Sequence, residues 1–149
     1  MASLDKKRLV LRNDLAELDK LTAWIEAWTR ENTSPNLSFN IQLCLEEAVA
    51  NAIMYGAARD DHMEIAVELE GNGGTVVARI EDTGRPFDPT QVPAPALATS
   101  LADADVGNVG IHLMRSFAKF LHYERRDGRN RLMLQFVEPR AVPNQSGQR

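Results

Sequence analysis

Three clusters of polar and glycine residues could do chemistry in this chain. The first is Glu47 and Asn51, inside the run Glu46-Glu47-Ala48-Val49-Ala50-Asn51-Ala52-Ile53-Met54-Tyr55. Four residues apart on a helix, the two side chains project from one face. Asn51 is the most polar side chain between Ala48 and Tyr55, so that stretch reads as buried on all sides. A buried amide needs partners, and a carboxylate one turn away can accept a proton. The second is Asp82-Thr83-Gly84, where the apolar run ending at Ile80 meets an Asp-x-Gly turn. An aspartate at a strand end can accept hydrogen bonds from an amino group, and glycine lets backbone approach a ligand closely. The third is Gly107-Asn108-Val109-Gly110-Ile111, which opens a helix. Free amides at a helix start bind anions, and glycines admit phosphate to them. It is neither a Walker A loop, lacking a following Gly-Lys-Ser/Thr, nor a dinucleotide fingerprint, lacking a preceding strand. Taken singly, each cluster also fits ordinary structure: a satisfied core asparagine beside a surface glutamate, an Asp-Gly turn, or a helix cap.

These residues need elements to hold them. Lys7 to Arg12 reads as a short strand around Leu9-Val10-Leu11. Asp14 with Glu17 three residues on is spaced as a capping box, and Leu15, Leu18, Leu21, Ile25 and Trp28 line one face of a helix running to about Arg30. Glu31 to Asn36 reads as a turn, and a second helix starts near Leu37 or Ser38 and runs to about Tyr55, stopped by Gly56. Met63 to Glu70 and Thr75 to Glu81 alternate at period two around a Gly71-Asn72-Gly73-Gly74 turn, a hairpin. A proline-rich loop precedes a third helix, expected over Gly110 to Leu121. Tyr123 to Arg126 and Arg131 to Val137 make a last hairpin. This order predicts an α/β (α+β) two-layer sandwich: a mixed, mostly antiparallel sheet with one face covered by three helices. Residues 1–137 form one domain, with a lid from about 85 to 109, and 138–149 form a flexible polar tail.

Composition sets outer limits. A chain of 149 residues and 17 Lys+Arg against 21 Asp+Glu carries a net charge of −4, against the clustered positive charge that broad nucleic-acid binding needs. One cysteine, Cys44, excludes an internal disulfide framework and a multi-cysteine zinc site. No apolar run of membrane-spanning length and no signal-peptide core are present, so a cytoplasmic protein without membrane or direct nucleic-acid contact is expected.

The three clusters, in this order, resemble the motifs of the GHKL (Bergerat-type) ATPase superfamily, and more narrowly the bacterial anti-sigma-factor serine/threonine kinases. The resemblance runs from about Leu9 to Phe136 and includes Glu47 to Ile53, Pro86-Phe87-Asp88-Pro89, and Tyr123 to Asn130. It implies ATP and Mg²⁺ as ligands. Asn51 would offer its amide oxygen to Mg²⁺, and Glu47 would be the catalytic base toward a serine or threonine hydroxyl. Asp82 would accept from the adenine amino group, with Gly84 leaving room for the ring. Gly107, Asn108, Val109, Gly110 and Ile111 would face the phosphates. Glu46 points off the Asn51 face and is second choice as base. The implied partners are an anti-sigma-factor antagonist of STAS type and a sigma factor, exchanged by partner switching, with homodimerisation. The other readings are a nucleotide-dependent module that sequesters its partner without efficient phosphoryl transfer and, more remotely, the catalytic half of a histidine kinase.

Two departures bear on transfer. Close relatives often carry glycine where Asn108 stands. The lid also has no lysine: Arg85 is its only basic residue, beside Asp88, Asp103 and Asp105, although a transferring phosphoryl group needs positive charge. Arg115, one turn into the third helix, or an arginine of a partner would supply it. Cys44, between two leucines, reads as a buried small hydrophobe.

Overall fold

The fold, a computed structural model, describes residues 5–56, 63–91 and 106–139, with backbone alone at 106–109. Strand β1 (Asp5–Arg12) leads through a 3-10 turn (Leu15–Glu17) into helix α1 (Leu18–Asn32). Asp14 caps that turn by accepting from the Ala16 N–H at 2.9 Å. The Glu17 carboxylate reaches back past the cap and accepts from the Arg12 N–H at 3.0 Å, so it closes the strand–helix corner. Leu21, Ile25 and Trp28 are buried as their spacing requires, whereas Leu15 in the 3-10 turn is half exposed.

Helix α2 (Pro35–Asn51) begins two to three residues before the expected start. Ser34 is its N-cap and Pro35 its first residue, where proline's missing N–H costs nothing. The proline that reads as a turn therefore marks the helix start. After Asn51 the chain widens into a π-helical turn, Ala52–Gly56, the kind of irregularity that recurs at functional sites.

Strands β2 (Glu64–Asn72) and β3 (Thr75–Asp82) form a hairpin closed by Gly73 and Gly74, both at positive φ. Two successive left-handed residues make the turn whose twist matches paired strands, which is why β2 continues through Gly71 and Asn72. Helix α3 (Val106–Phe117) starts a turn earlier and ends a turn earlier than expected. Strand β4 (Phe120–Arg126) takes up Leu121, and β5 (Arg129–Val137) completes the sheet.

The sheet order is β1-β2-β3-β5-β4, and all four pairings are antiparallel. No parallel pair exists among the described strands, in place of the mixed sheet expected. The α3 crossover does return β4 parallel to β3, but β5 pairs between them and separates the two. One sheet face carries Leu11, Ile65, Val67, Leu69, Ala78, Ile80, Leu134 and Phe136 into a core shared with the three helices. The other face is laced with ion pairs, including Arg8 with Glu68, Arg79 with Glu70, and Arg129 and Arg131 with Glu81. No described helix is long and apolar enough to cross a membrane.

The expected tail boundary needs correcting at its first residue. Glu138 donates its N–H to the Gly74 carbonyl at 2.7 Å, and its carboxylate accepts from the Ser34 N–H and hydroxyl, each at 2.7 Å. An anion thus sits at the start of α2, where unpaired amides and the helix dipole favour it. Residues 140–149 of the tail lie outside the described residues. Glu138→Gln is expected to cost about 1 kcal/mol, read as a fall of about 2–4 °C in Tm. An unchanged Tm would show that the clasp adds no stability.

Candidate nucleotide site

The period-two alternation of the strands decides what faces the helices. Asp82 has the same parity as Val76, Ala78 and Ile80, and Asn130 that of Leu132, Leu134 and Phe136. Both polar residues therefore lie on the covered face, opposite one another in the β3–β5 register. Both are buried, at 6% exposure each. Asp82 Oδ1 accepts from the Gly84 N–H at 2.8 Å and from Asn130 Nδ2 at 2.9 Å. Burial pushes the Asp82 carboxyl up, while those two bonds and Arg125 pull it down and Glu81 adds to the rise.

Above the sheet, Asn51 ends α2 at 4% exposure, and its Nδ2 has no hydrogen-bond partner among the described residues. Asn51, Asp82 and Asn130 line one pocket with apolar neighbours that include Ala52, Ile80 and Leu132. As it stands the pocket holds about 30 Å³, room for one or two waters. Phe87 and Pro89 also line it. The Phe87 ring stacks on Tyr55 at 5.6 Å, next to the π-helical turn.

Gly84 is demanded by backbone packing. A Cβ there would collide with the Gly56 carbonyl, 2.7 Å from its carbon, and stand 3.0 Å from Asp82 Oδ1. The Arg85 N–H donates to the same Gly56 carbonyl at 2.8 Å. The missing side chain thus admits the end of the π turn rather than open space, and it ties the Asp-x-Gly turn to the segment after Asn51.

Glu47 is half-buried, and burial raises its carboxyl, with the neighbouring Glu46 charge adding to the rise. Glu46 itself is turned to α1, where Thr22 hydrogen-bonds it and Gln42 approaches at 3.4 Å. Glu47 instead lies against α3 at Gly110. A Cβ on Gly110 would strike the Glu47 carboxylate and come within 3.2 Å of Glu47 Cβ. Cys44, one turn earlier and buried, is pushed up to about 12 by desolvation and is an inert thiol.

Helix α3 changes the expected phosphate-facing set. Because it begins at Val106, Gly107 and Asn108 carry first-turn amides with no partners within the helix, and Val109 follows them at the end of that turn. Gly110 and Ile111 come later: Gly110 is buried against Glu47, and Ile111 is a core residue at 1% exposure. The expected lid splits as well. Arg85 to Gln91 is ordered by its contacts, residues 92–105 lie outside the described residues, and 106–109 are helix. Arg115 donates through Nη2 to the carbonyls of Pro89 and Thr90, which ties one arm of its guanidinium to the segment leaving the pocket.

Sequence reasoning missed Asn130, Tyr123 and Arg125 as site residues. Tyr123 donates to Asn130 at 2.5 Å, and Arg125 donates to the Gly84 carbonyl at 2.6 Å. The available signal was parity: an asparagine in step with Leu132, Leu134 and Phe136 must face the core and find partners there.

The raised Glu47 carboxyl has a consequence for stability. A carboxyl raised by folding contributes stability fully at pH below its unfolded value and loses it as pH rises through the folded one. The desolvated carboxylate form of Glu47 therefore opposes folding as pH rises. Glu47→Gln is expected to melt at or above the wild-type temperature at about pH 7, the gain closing toward about pH 4. A variant that melts lower at both pH values would refute the desolvated carboxylate.

A divalent cation and a nucleotide can be tested against this donor set. No group of three His, Cys, Asp or Glu side chains that could cage a metal occurs among the described residues. Mg²⁺ does not need one, since it keeps several waters and takes one or two protein oxygens plus substrate phosphates. The unsatisfied Asn51 Nδ2 is a donor that an acceptor atom of a ligand would satisfy, and the same pocket holds the buried Asp82 carboxylate with one oxygen engaged.

Comparison with known proteins places the chain in a family. Residues 11–136 match the family described as Histidine kinase-like ATPase domain. The serine/threonine-protein kinase BtrW of Bordetella bronchiseptica is 38% identical over 112 residues, covering 74% of this chain and 79% of BtrW. Among solved structures, the RsbU and RsbW domains of a Mycobacterium tuberculosis protein superpose with a TM-score of 0.64 at 17% identity, over 93% of this chain and 34% of that one. The histidine kinase domain of a blue-light activated Erythrobacter litoralis kinase gives 0.53 at 13% identity, over 85% of this chain and 61% of that one. This chain thus spans about a third of the first of those structures and less than two thirds of the second. At these identities the solved structures speak for the fold, an α+β sandwich. The family match and the BtrW relationship go further: the chain belongs to the histidine kinase-like (GHKL) ATPase family, in its anti-sigma-factor serine/threonine kinase branch.

Proposed function

We propose that this protein is an ATP-dependent serine/threonine kinase whose substrate is an anti-sigma-factor antagonist of STAS type, and that it controls a sigma factor by binding one partner or the other. The observation that carries the reading is the convergence of Asn51 and Asp82 on one pocket with Glu47 a turn before Asn51. In this reading Asp82 accepts from the adenine amino group and Gly84 keeps the turn close to Gly56. The Gly107–Val109 amides opening α3 face the phosphates, while Gly110 and Ile111 support them from within the helix. Asn51 holds Mg²⁺ through its amide oxygen; when bound, the cation supplies charge compensation to the phosphates. Glu47, half-buried, takes the proton of the attacking hydroxyl, and its raised carboxyl holds that proton more readily than an exposed carboxylate would. The protein works in the cytoplasm, as a homodimer.

A second reading, a nucleotide-dependent module that holds its partner without efficient transfer, is favoured by one observation. Arg115, the basic residue in the last turn of α3, donates to the Pro89 and Thr90 carbonyls, and Arg85 donates to the Tyr55 carbonyl. The deciding experiment incubates the protein with γ-labelled ATP, Mg²⁺ and its cognate antagonist. Label on a serine or threonine of the antagonist supports the kinase. ATP binding without label supports the module, and failure to bind ATP overturns both.

A further inference from the structure

Asn130 sits at the start of β5 with its amide fully used. Its Nδ2 donates to Asp82 Oδ1 at 2.9 Å and to the Arg85 carbonyl at 2.7 Å. Its Oδ1 accepts from the Tyr123 hydroxyl at 2.5 Å and from the Phe87 N–H at 3.3 Å. Two donors and two acceptors are the whole capacity of an asparagine amide, and no other side chain of that size offers both. Three structures meet at this one group: the buried carboxylate, the backbone leaving β3, and the edge strand β4.

We infer that Asn130 is a positioning residue that fixes the orientation of Asp82 together with the path of Arg85 to Phe87, and so sets the selectivity of the pocket for an adenine base over a guanine base. The inference rests on the nucleotide reading above. With the Gly84 N–H and Asn130 Nδ2 both on Oδ1, Oδ2 is the Asp82 oxygen with no described partner. An acceptor held in that attitude suits the 6-amino group of adenine and repels the 6-oxo group of guanine. The same amide holds the Phe87 backbone, whose ring lines the pocket and stacks on Tyr55. Without Asn130, Asp82 can rotate and the segment that walls the pocket loses its anchor.

The test compares ATP and GTP affinity by calorimetry for the full chain, Asn130→Asp and Asn130→Ala, from about pH 8 to about pH 5, with thermal melting to confirm folding. Asn130→Asp keeps the shape and the acceptor but sets a second carboxylate against Asp82. At about pH 8 it is expected to weaken ATP binding about 10- to 100-fold with little change for GTP, collapsing the preference. As pH falls, two carboxylates that share one proton regain a donor between them, so part of the ATP affinity returns. The charged and titratable groups around that pair are Arg125, Glu81, Asp88 and the Tyr123 hydroxyl, which Asn130→Ala retains. Asn130→Ala is therefore expected to lose ATP affinity without recovery at acid pH. Equal losses for ATP and GTP, or no acid recovery in Asn130→Asp, mean a merely structural role and overturn the inference. If the wild type binds ATP and Asn130→Asp keeps its preference, the inference alone fails. If the wild type binds neither nucleotide, the nucleotide reading falls and takes this one with it.

Discussion

Glu47→Gln is expected to lower phosphoryl transfer to the antagonist by about 10²- to 10⁴-fold while ATP affinity stays near the wild-type value. Glutamine keeps the length and shape of the side chain, so its packing against Gly110 survives; what disappears is the ability to accept a proton. Glu47 is not among the residues lining the pocket that holds Asp82 and Asn130, which is why binding and transfer should separate. The measurement is label transfer under saturating ATP, beside equilibrium binding of ATP to the same preparation. Glu46→Gln is the control: its carboxylate is bound to Thr22 on α1, and it should transfer at close to the wild-type rate. Normal transfer by Glu47→Gln would remove Glu47 as the base and leave the fold assignment intact. Reversed results for the two variants would move the role to Glu46.

Asp82→Asn should produce the opposite pattern, a loss of binding about 10- to 100-fold that carries transfer down with it at low ATP. The substitution preserves volume but removes the charge and turns one acceptor into a donor. Asn130 Nδ2 and the Gly84 N–H both need an acceptor at that position, so the new amide must present its oxygen to them. It then faces the pocket with its NH₂, which an adenine amino group cannot donate to. Because the wild-type carboxylate is desolvated, apo stability is not expected to suffer in proportion at pH 7. Calorimetric titration with ATP checks the prediction, with melting as the control for folding. Unchanged affinity would place the adenine contact elsewhere. Taken with Glu47→Gln, it separates a binding defect from a chemical one in a single pair of variants.

Much of this arrangement can be read from the chain, and the unreadable part has identifiable causes. The order of the eight described helices and strands follows from periodicity, because Leu21, Ile25 and Trp28 at helical spacing and Ile65, Val67 and Leu69 at period two each have one face to bury. Element ends were less legible. Pro35 looks like a turn residue yet opens α2, since a first-turn N–H has no partner to lose. Leu121 continues the helical pattern of α3 yet belongs to β4, because pairing with Leu134 offers its backbone groups partners that a longer helix would also have supplied. Local pattern cannot decide between two satisfied alternatives.

The site divides along the same line. The spacing of Glu47 and Asn51, the Asp82-x-Gly84 turn and the glycines opening α3 are local features, so their kinds, their order and the family they mark are legible in the chain. That β5 inserts between β3 and β4 is a long-range outcome of folding. That places Asn130 across from Asp82, 48 residues away in the chain, and makes its amide the holder of the carboxylate. Folding also decided that Gly84 is required by the backbone of Gly56, that Gly110 makes room for Glu47, and that Arg115 reaches the carbonyls of Pro89 and Thr90. The physical reason is one of range: periodicity and turn chemistry act over a few residues, whereas close approach and the pairing of buried polar groups depend on which distant segments the sheet brings together.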